Sequence, residues 1–143
     1  MLNFTFIIHN YLMFRLGTDI VYIPRIQATI ERFGDRFLQR VYTPAEQLDC
    51  GLGSPNRTTI NKLAGRWAAK EAVVKALGTG WQGVGYTDIE IRRSQSGIPI
   101  VYLHGRAMVL LNAFLEVQWQ LSLSHDGDYA IATAILVCSH VKP

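Results

Sequence analysis

Apolar positions recur along the chain in more than one rhythm, and each rhythm predicts an element. From 14 to 22, Phe14, Leu16, Ile20 and Val21 surround Gly17-Thr18-Asp19, which reads as a strand. Pro24 suits the first turn of a helix, where a missing N–H costs nothing. Ile26, Ile30, Phe33 and Phe37 follow at spacings of four, three and four, predicting a helix over 25–40 with one apolar stripe, weakened at Gly34. Thr43-Pro44-Ala45-Glu46 supplies an N-cap, a proline at N1 and a glutamate at N3, so another helix starts there. After a loop at 51–55, strong helix formers fill 59–77 and stop at Gly78-Thr79-Gly80. Stretches 88–93 and 98–103 flank Ser94-Gln95-Ser96-Gly97, a hairpin signal. A short helix is expected over 106–116, carrying Ala107, Leu110, Leu111 and Phe114. Val117, Trp119, Leu121 and Leu123 alternate with polar residues, and Asp126-Gly127-Asp128 turns the chain into a near-continuous apolar strand at 129–137. Strands joined by hairpins, with helices between them, predict an α+β domain with a mainly antiparallel sheet.

Composition narrows this. The 143 residues are 49% apolar and 17% charged, enough for one globular domain with a real core and too few for two comfortable ones. No repeat or linker divides them. Residues 1–75 hold ten basic and six acidic side chains against four and five in 76–143, an excess that suggests an anionic partner. Cys50 and Cys138 stand far apart and outside any C-x-x-C pair, which argues against a zinc ribbon and for two reduced thiols in a cytoplasmic protein. No apolar run reaches the roughly 18 residues a spanning helix needs. Residues 1–12 are apolar but lack a basic start and a cleavage site, and read as an extension ahead of a domain at 13–143.

Two carboxylates break the local pattern. Around the helix at 59–77, at about 100° per residue, Ile60, Ala64, Trp67 and Val74 share a face. Glu71 falls inside that stripe, four residues beyond Trp67. It could reach to water at the stripe's edge, pair with Lys75 one turn on, or find a partner elsewhere. Asp19 interrupts an apolar strand, where propensity and desolvation both disfavour it unless it caps a turn beside Gly17. One joint explanation covers both: a shared divalent cation. Hard oxygen donors without His or Cys nearby favour magnesium, which completes its shell with waters and substrate phosphates. Lys62, Arg66, Lys70 and Lys75 on the same helix, and the glycines beyond it, suit an anionic ligand; a solvated basic helix with a glycine cap explains them nearly as well.

Arg25, Arg32 and Arg36 form a row on one flank of the helix at 25–40, fit for an acidic surface or simply solvated. His125 precedes the turn at 126–128, and no Ser-His-Asp set follows from spacing. Two other functions fit parts of this pattern: a nucleic-acid-binding module, and a metal-dependent phosphohydrolase using water as nucleophile.

Several segments resemble those of the holo-[acyl-carrier-protein] synthases, the short class of phosphopantetheinyl transferases. They are Gly17-Thr18-Asp19-Ile20-Val21 and the run from Arg66-Trp67-Ala68-Ala69-Lys70-Glu71 through Lys75-Ala76-Leu77-Gly78-Thr79-Gly80. Phe37-Leu38-Gln39-Arg40 with Thr43 and Glu46, Gly97-Ile98-Pro99 with Leu103-His104-Gly105, and Ser122-Leu123-Ser124-His125 with Tyr129-Ala130 are similar too, in register and in order. The resemblance implies transfer of the 4′-phosphopantetheine arm of coenzyme A to a serine of apo-acyl carrier protein. Adenosine 3′,5′-bisphosphate is released, in support of fatty acid biosynthesis. It implies a magnesium cofactor held by Asp19 and Glu71, and catalytic roles for Glu71 and Lys75; Glu71 or a water on the ion would take the serine proton. Coenzyme A binding falls to Arg66, Lys70, Lys75, Gly78, Gly80, Ser124 and His125, and carrier docking to Arg25, Arg32 and Arg36. A homotrimer with active sites between subunits is implied, with no nucleic acid and no membrane insertion. Arg15 stands where the family commonly has glycine, and Tyr22 where it has an acidic residue.

Overall fold

The computed structural model describes residues 10–51, 53 and 55–141. Residues 1–9, part of the expected extension, lie outside the described residues. Strand β1 (Asn10–Tyr22) leads into helices α1 (Ile23–Phe33), α2 (Asp35–Val41), α3 (Pro44–Cys50) and α4 (Arg57–Leu77). A 3₁₀ turn (Tyr86–Asp88) opens the hairpin β2 (Ile89–Arg93) and β3 (Pro99–Leu103), and α5 (Gly105–Val109) precedes β4 (Glu116–Asp126) and β5 (Tyr129–Val141). The order β1-β5-β4 makes one antiparallel sheet and β2-β3 a second. The expected α+β architecture with antiparallel pairing is what the chain adopts.

The main sheet lies against α4. Paired residues share a face, so Gly17↔Ala134, Asp19↔Ala132 and Val21↔Ala130 turn one side of the sheet toward the helix. Small side chains there let the backbones close in. A Cβ at Gly17 would overlap the carbonyl oxygen of Ala72, so strand and helix touch main chain to main chain at that point. Ala68, Ala69, Ala72, Val73 and Ala76 are fully or almost fully buried, and α4 is enclosed on most of its circumference. The single stripe expected from periodicity is therefore too narrow, because the hairpin and α3 cover the side the sheet does not.

Three boundaries differ from expectation. The helix over 25–40 is two helices, broken at Gly34, whose φ of 54° and ψ of −133° fit neither. Phe33, expected in the core, is 49% exposed at that break. The helix expected over 106–116 ends at Val109 and gives way to turns. Strand β1 begins at Asn10, so Asn10–Leu12 pair with Val141, His140 and Ser139 although they fall within the stretch read as an extension. Elsewhere the signals hold. Thr43 and Glu46 form a reciprocal capping box, Asn56 caps α4, and Gly78 ends it in the left-handed conformation.

The other side of the main sheet is left exposed by the described residues. Phe14, Leu16 and Ile20 of β1 are each more than 60% exposed, and Ile131 and Ile135 of β5 stand beside them.

Candidate active site

Because β1 meets α4 at Gly17, Asp19 lies two residues on over the next turns of the helix. Lys75 Nζ donates to Asp19 Oδ1 at 3.0 Å and to the Thr18 carbonyl at 2.9 Å. Asp19 keeps only 18% of its side chain exposed, Lys75 51%. Glu71, one turn earlier, is half-buried, and its Oε1 accepts the indole N–H of Trp81 at 3.2 Å. Burial pushes the Glu71 carboxyl above the usual carboxylate range; Trp81 pulls it back, and the negative charge of Asp19 adds to the rise. Two carboxylates on different elements thus sit close enough to repel. That donor set, hard and anionic with one cation alongside, fits a magnesium ion that takes one or two protein carboxylates. Among the described residues no cluster of three or more potential metal ligands occurs, so waters and substrate oxygens would fill the remaining positions.

The sequence reading missed the aromatic wall beside this cluster. Trp81 packs on Tyr86 with ring centroids 4.1 Å apart, and Tyr86 stacks on Trp67 at 5.2 Å. Burial raises the Tyr86 phenol, and so does the charge of Glu71, while Arg40 on the other side lowers it. Beyond Tyr86 a groove of about 380 Å³ opens, floored by Phe33, Phe37 and Trp67 and rimmed by Arg36 and Arg40. An aromatic residue standing alone just past a glycine turn was the available signal for Trp81.

Lys70 does not belong to the coenzyme set. Its ammonium is completely buried, 2.8 Å from Glu46 Oε2, and donates to the carbonyls of Val41, Tyr86 and Ile89 at 2.6 to 2.8 Å. Burial lowers its proton affinity, and the Glu46 charge opposes the fall. Glu46 is equally enclosed and also receives the backbone N–H groups of Thr43 and Ile91. An ammonium has three hydrogens, and this one is surrounded by four acceptors, leaving none for a ligand. The expectation fails because helical position shows which way a side chain starts, not what folds over it.

Arg66 is also buried, its Nε donating to the Ile91 carbonyl, yet it reaches the wall of a second cleft of about 360 Å³. That cleft holds Ser124, His125, Lys62, Arg93 and Asn61, and the buried Asn61 Oδ1 has no hydrogen-bond partner among the described residues. None of Asp19, Glu71, Lys75, Gly78 or Gly80 lines it. Within one chain the predicted coenzyme residues therefore fall into two groups, one at the end of α4 and one beside β4. Gly78 and Gly80 have φ of 83° and 59°, so the turn after α4 is built from conformations other residues resist. Arg25, Arg32 and Arg36 are all exposed, with Arg36 on α2 rather than in line with the other two.

The family model described as the 4′-phosphopantetheinyl transferase superfamily matches residues 15–134. A holo-[acyl-carrier-protein] synthase of Gloeobacter violaceus is 56% identical over 86% of this chain and 92% of its own length. One from Koribacter versatilis is 44% identical over 84% and 94%. Among solved structures, the Chronobacterium ammoniagenes ACPS–CoA complex superposes with a TM-score of 0.74 at 30% identity, covering 92% of this chain and 99% of that one. The Helicobacter pylori holo-[acyl-carrier-protein] synthase in complex with coenzyme A gives 0.71 at 33% identity, covering 85% and 98%.

Proposed function

The chain belongs to the 4′-phosphopantetheinyl transferase superfamily, and on that footing we propose that it is a holo-[acyl-carrier-protein] synthase. It transfers the 4′-phosphopantetheine arm of coenzyme A to a serine of apo-acyl carrier protein, releases adenosine 3′,5′-bisphosphate and so serves fatty acid biosynthesis in the cytoplasm. The observation that carries this reading is the convergence of Asp19, Glu71 and Lys75 where β1 crosses α4. Relatives named for this activity, and neighbours named as coenzyme A complexes, support it.

Asp19 and Glu71 would hold magnesium, which when bound supplies positive charge against the coenzyme's diphosphate. Lys75 adds a half-exposed ammonium at the same place, and the glycine turn at Gly78 and Gly80 lets backbone approach the phosphates. Glu71, or a water on the ion, would take the serine proton. Arg66, Ser124 and His125, with Lys62 beside them, bind the coenzyme from the second cleft. Because the two groups sit apart in one chain, the complete site forms between subunits of a homotrimer, whose contact is the bare apolar face of β1 and β5. Arg25, Arg32 and Arg36 receive the acidic carrier. The domain doing this is the stretch 13–143, with Asn10–Leu12 extending its first strand.

Incubation of the protein with coenzyme A, magnesium and apo-acyl carrier protein, followed by mass spectrometry of the carrier, tests the reading. One phosphopantetheine should be gained by the wild type, and almost none by Asp19→Asn or Glu71→Gln, both folded. Consumption of coenzyme A with the carrier unmodified would mean that water is the acceptor and the enzyme a hydrolase.

A further inference from the structure

The turn after α4 brings an aromatic side chain back onto the helix it has just left. Trp81 lies ten residues beyond Glu71, yet its Nε1–H meets Glu71 Oε1 at 3.2 Å. An indole N–H only donates and an ionised carboxylate only accepts, so the direction of this bond is fixed. The indole is braced from its other side. Its centroid is 4.1 Å from that of Tyr86, Tyr86 is stacked on Trp67, and the Tyr86 carbonyl is held by Lys70 Nζ at 2.8 Å. Trp81 thus rests on a chain of contacts that ends in the buried Lys70–Glu46 pair. Glu71 Oε2, by contrast, has no hydrogen-bond partner among the described residues.

We infer that Trp81 is a positioning residue for the divalent cation: by holding Oε1, its indole N–H fixes the rotation of the Glu71 carboxylate and offers Oε2, together with Asp19, to the ion. The inference rests on the reading of Asp19 and Glu71 as a magnesium site. A carboxylate on a helix can rotate about its terminal bond and lose its aim; one already bonded at a single oxygen arrives oriented. Outer partners of metal ligands usually carry about 10- to 100-fold of metal affinity. Here the bond is neutral-to-charged and only part-buried, so the lower end of that range applies.

The test uses Mn²⁺ as the probe. Its binding to the full chain at saturating coenzyme A, with a coenzyme-only blank subtracted, is followed by electron paramagnetic resonance for wild type, Trp81→Phe and Asp19→Asn. Phenylalanine keeps a ring for the Tyr86 contact and removes the donor. Wild type should bind, Asp19→Asn should not, and Trp81→Phe should bind about tenfold more weakly with an unchanged circular dichroism spectrum. Equal binding by wild type and Asp19→Asn, or none by either, overturns the metal site itself. Loss in Asp19→Asn with wild-type affinity in Trp81→Phe leaves the site standing and overturns the role of Trp81. Should Trp81→Phe misfold, the wild type decides: the Trp81 indole ¹H–¹⁵N resonance, assigned with Trp67→Phe and Trp119→Phe, should shift on Mg²⁺ addition. An indole signal that stays put refutes the inference.

Discussion

Lys70 and Glu46 show how a single pair can carry a fold without touching substrate. Both are enclosed, and the pair ties α3, α4 and β2 through backbone groups as well as through charge. Lys70→Met should cost about 3–5 kcal/mol in urea unfolding, because the Glu46 carboxylate is left buried without a counter-ion. Asp49 is simpler. Its hydrogen bonds from Arg92 hold its carboxyl below the usual range, so the stabilisation is present at neutral pH and disappears as pH falls through that lowered value. Asp49→Asn should therefore be less stable than wild type at pH 7, by about 1 kcal/mol or less after solvent screening. The two unfolding curves should converge once the pH drops below the carboxylate range. Asp19 and Glu71 were legible in the sequence because each offends its own element's pattern. Lys70 was not, since a lysine among basic helical neighbours looks solvated, and Glu46 already seemed satisfied as a cap. Only the hairpin that folds over them makes them a pair.

Among the elements, the crossing of β1 and α4 matters most for chemistry. Gly17→Ala would drive a methyl into the Ala72 carbonyl, an overpacking expected to cost about 1–3 kcal/mol or more. Moving the strand outward would also separate Asp19 from Glu71, so divalent-cation affinity, read by Mn²⁺ titration, should fall even at temperatures where the variant stays folded. Periodicity located this strand and this helix but not their contact distance, which depends on three dimensions meeting at one glycine. The split at Gly34 was legible only as a weak point. Its consequence is that Arg36 sits on α2, over the aromatic groove, while Arg25 and Arg32 share α1. Charge reversal of Arg25 and Arg32 together should raise the apparent KM for the carrier and blunt its salt dependence, leaving the KM for coenzyme A nearly unchanged in steady-state kinetics. A change in the coenzyme value instead would assign this row to the nucleotide.

For the whole molecule, the bare side of the main sheet is the feature that most needs a partner. Contiguous exposed Phe14, Leu16, Ile20, Ile131 and Ile135 are poor company for water. Leu16→Glu with Ile135→Glu, a directly opposed pair in the ladder, should turn a trimeric mass in light scattering into a monomeric one and abolish transfer. A monomeric wild type would remove the shared-site reading. The sequence marks β1 as an apolar strand interrupted by Asp19, but apolar strand residues read the same whether a helix or a neighbour covers them. In β1 the side chain at 19 points to α4 and those at 18 and 20 to the opposite side. Thus the backbone that holds Asp19 is the same backbone that a trimer's neighbours would press upon. Under the trimeric reading, the enzyme's output per molecule is not a constant of the chain. It should collapse on dilution, faster than in proportion to the protein added, and recover when the solution is concentrated again.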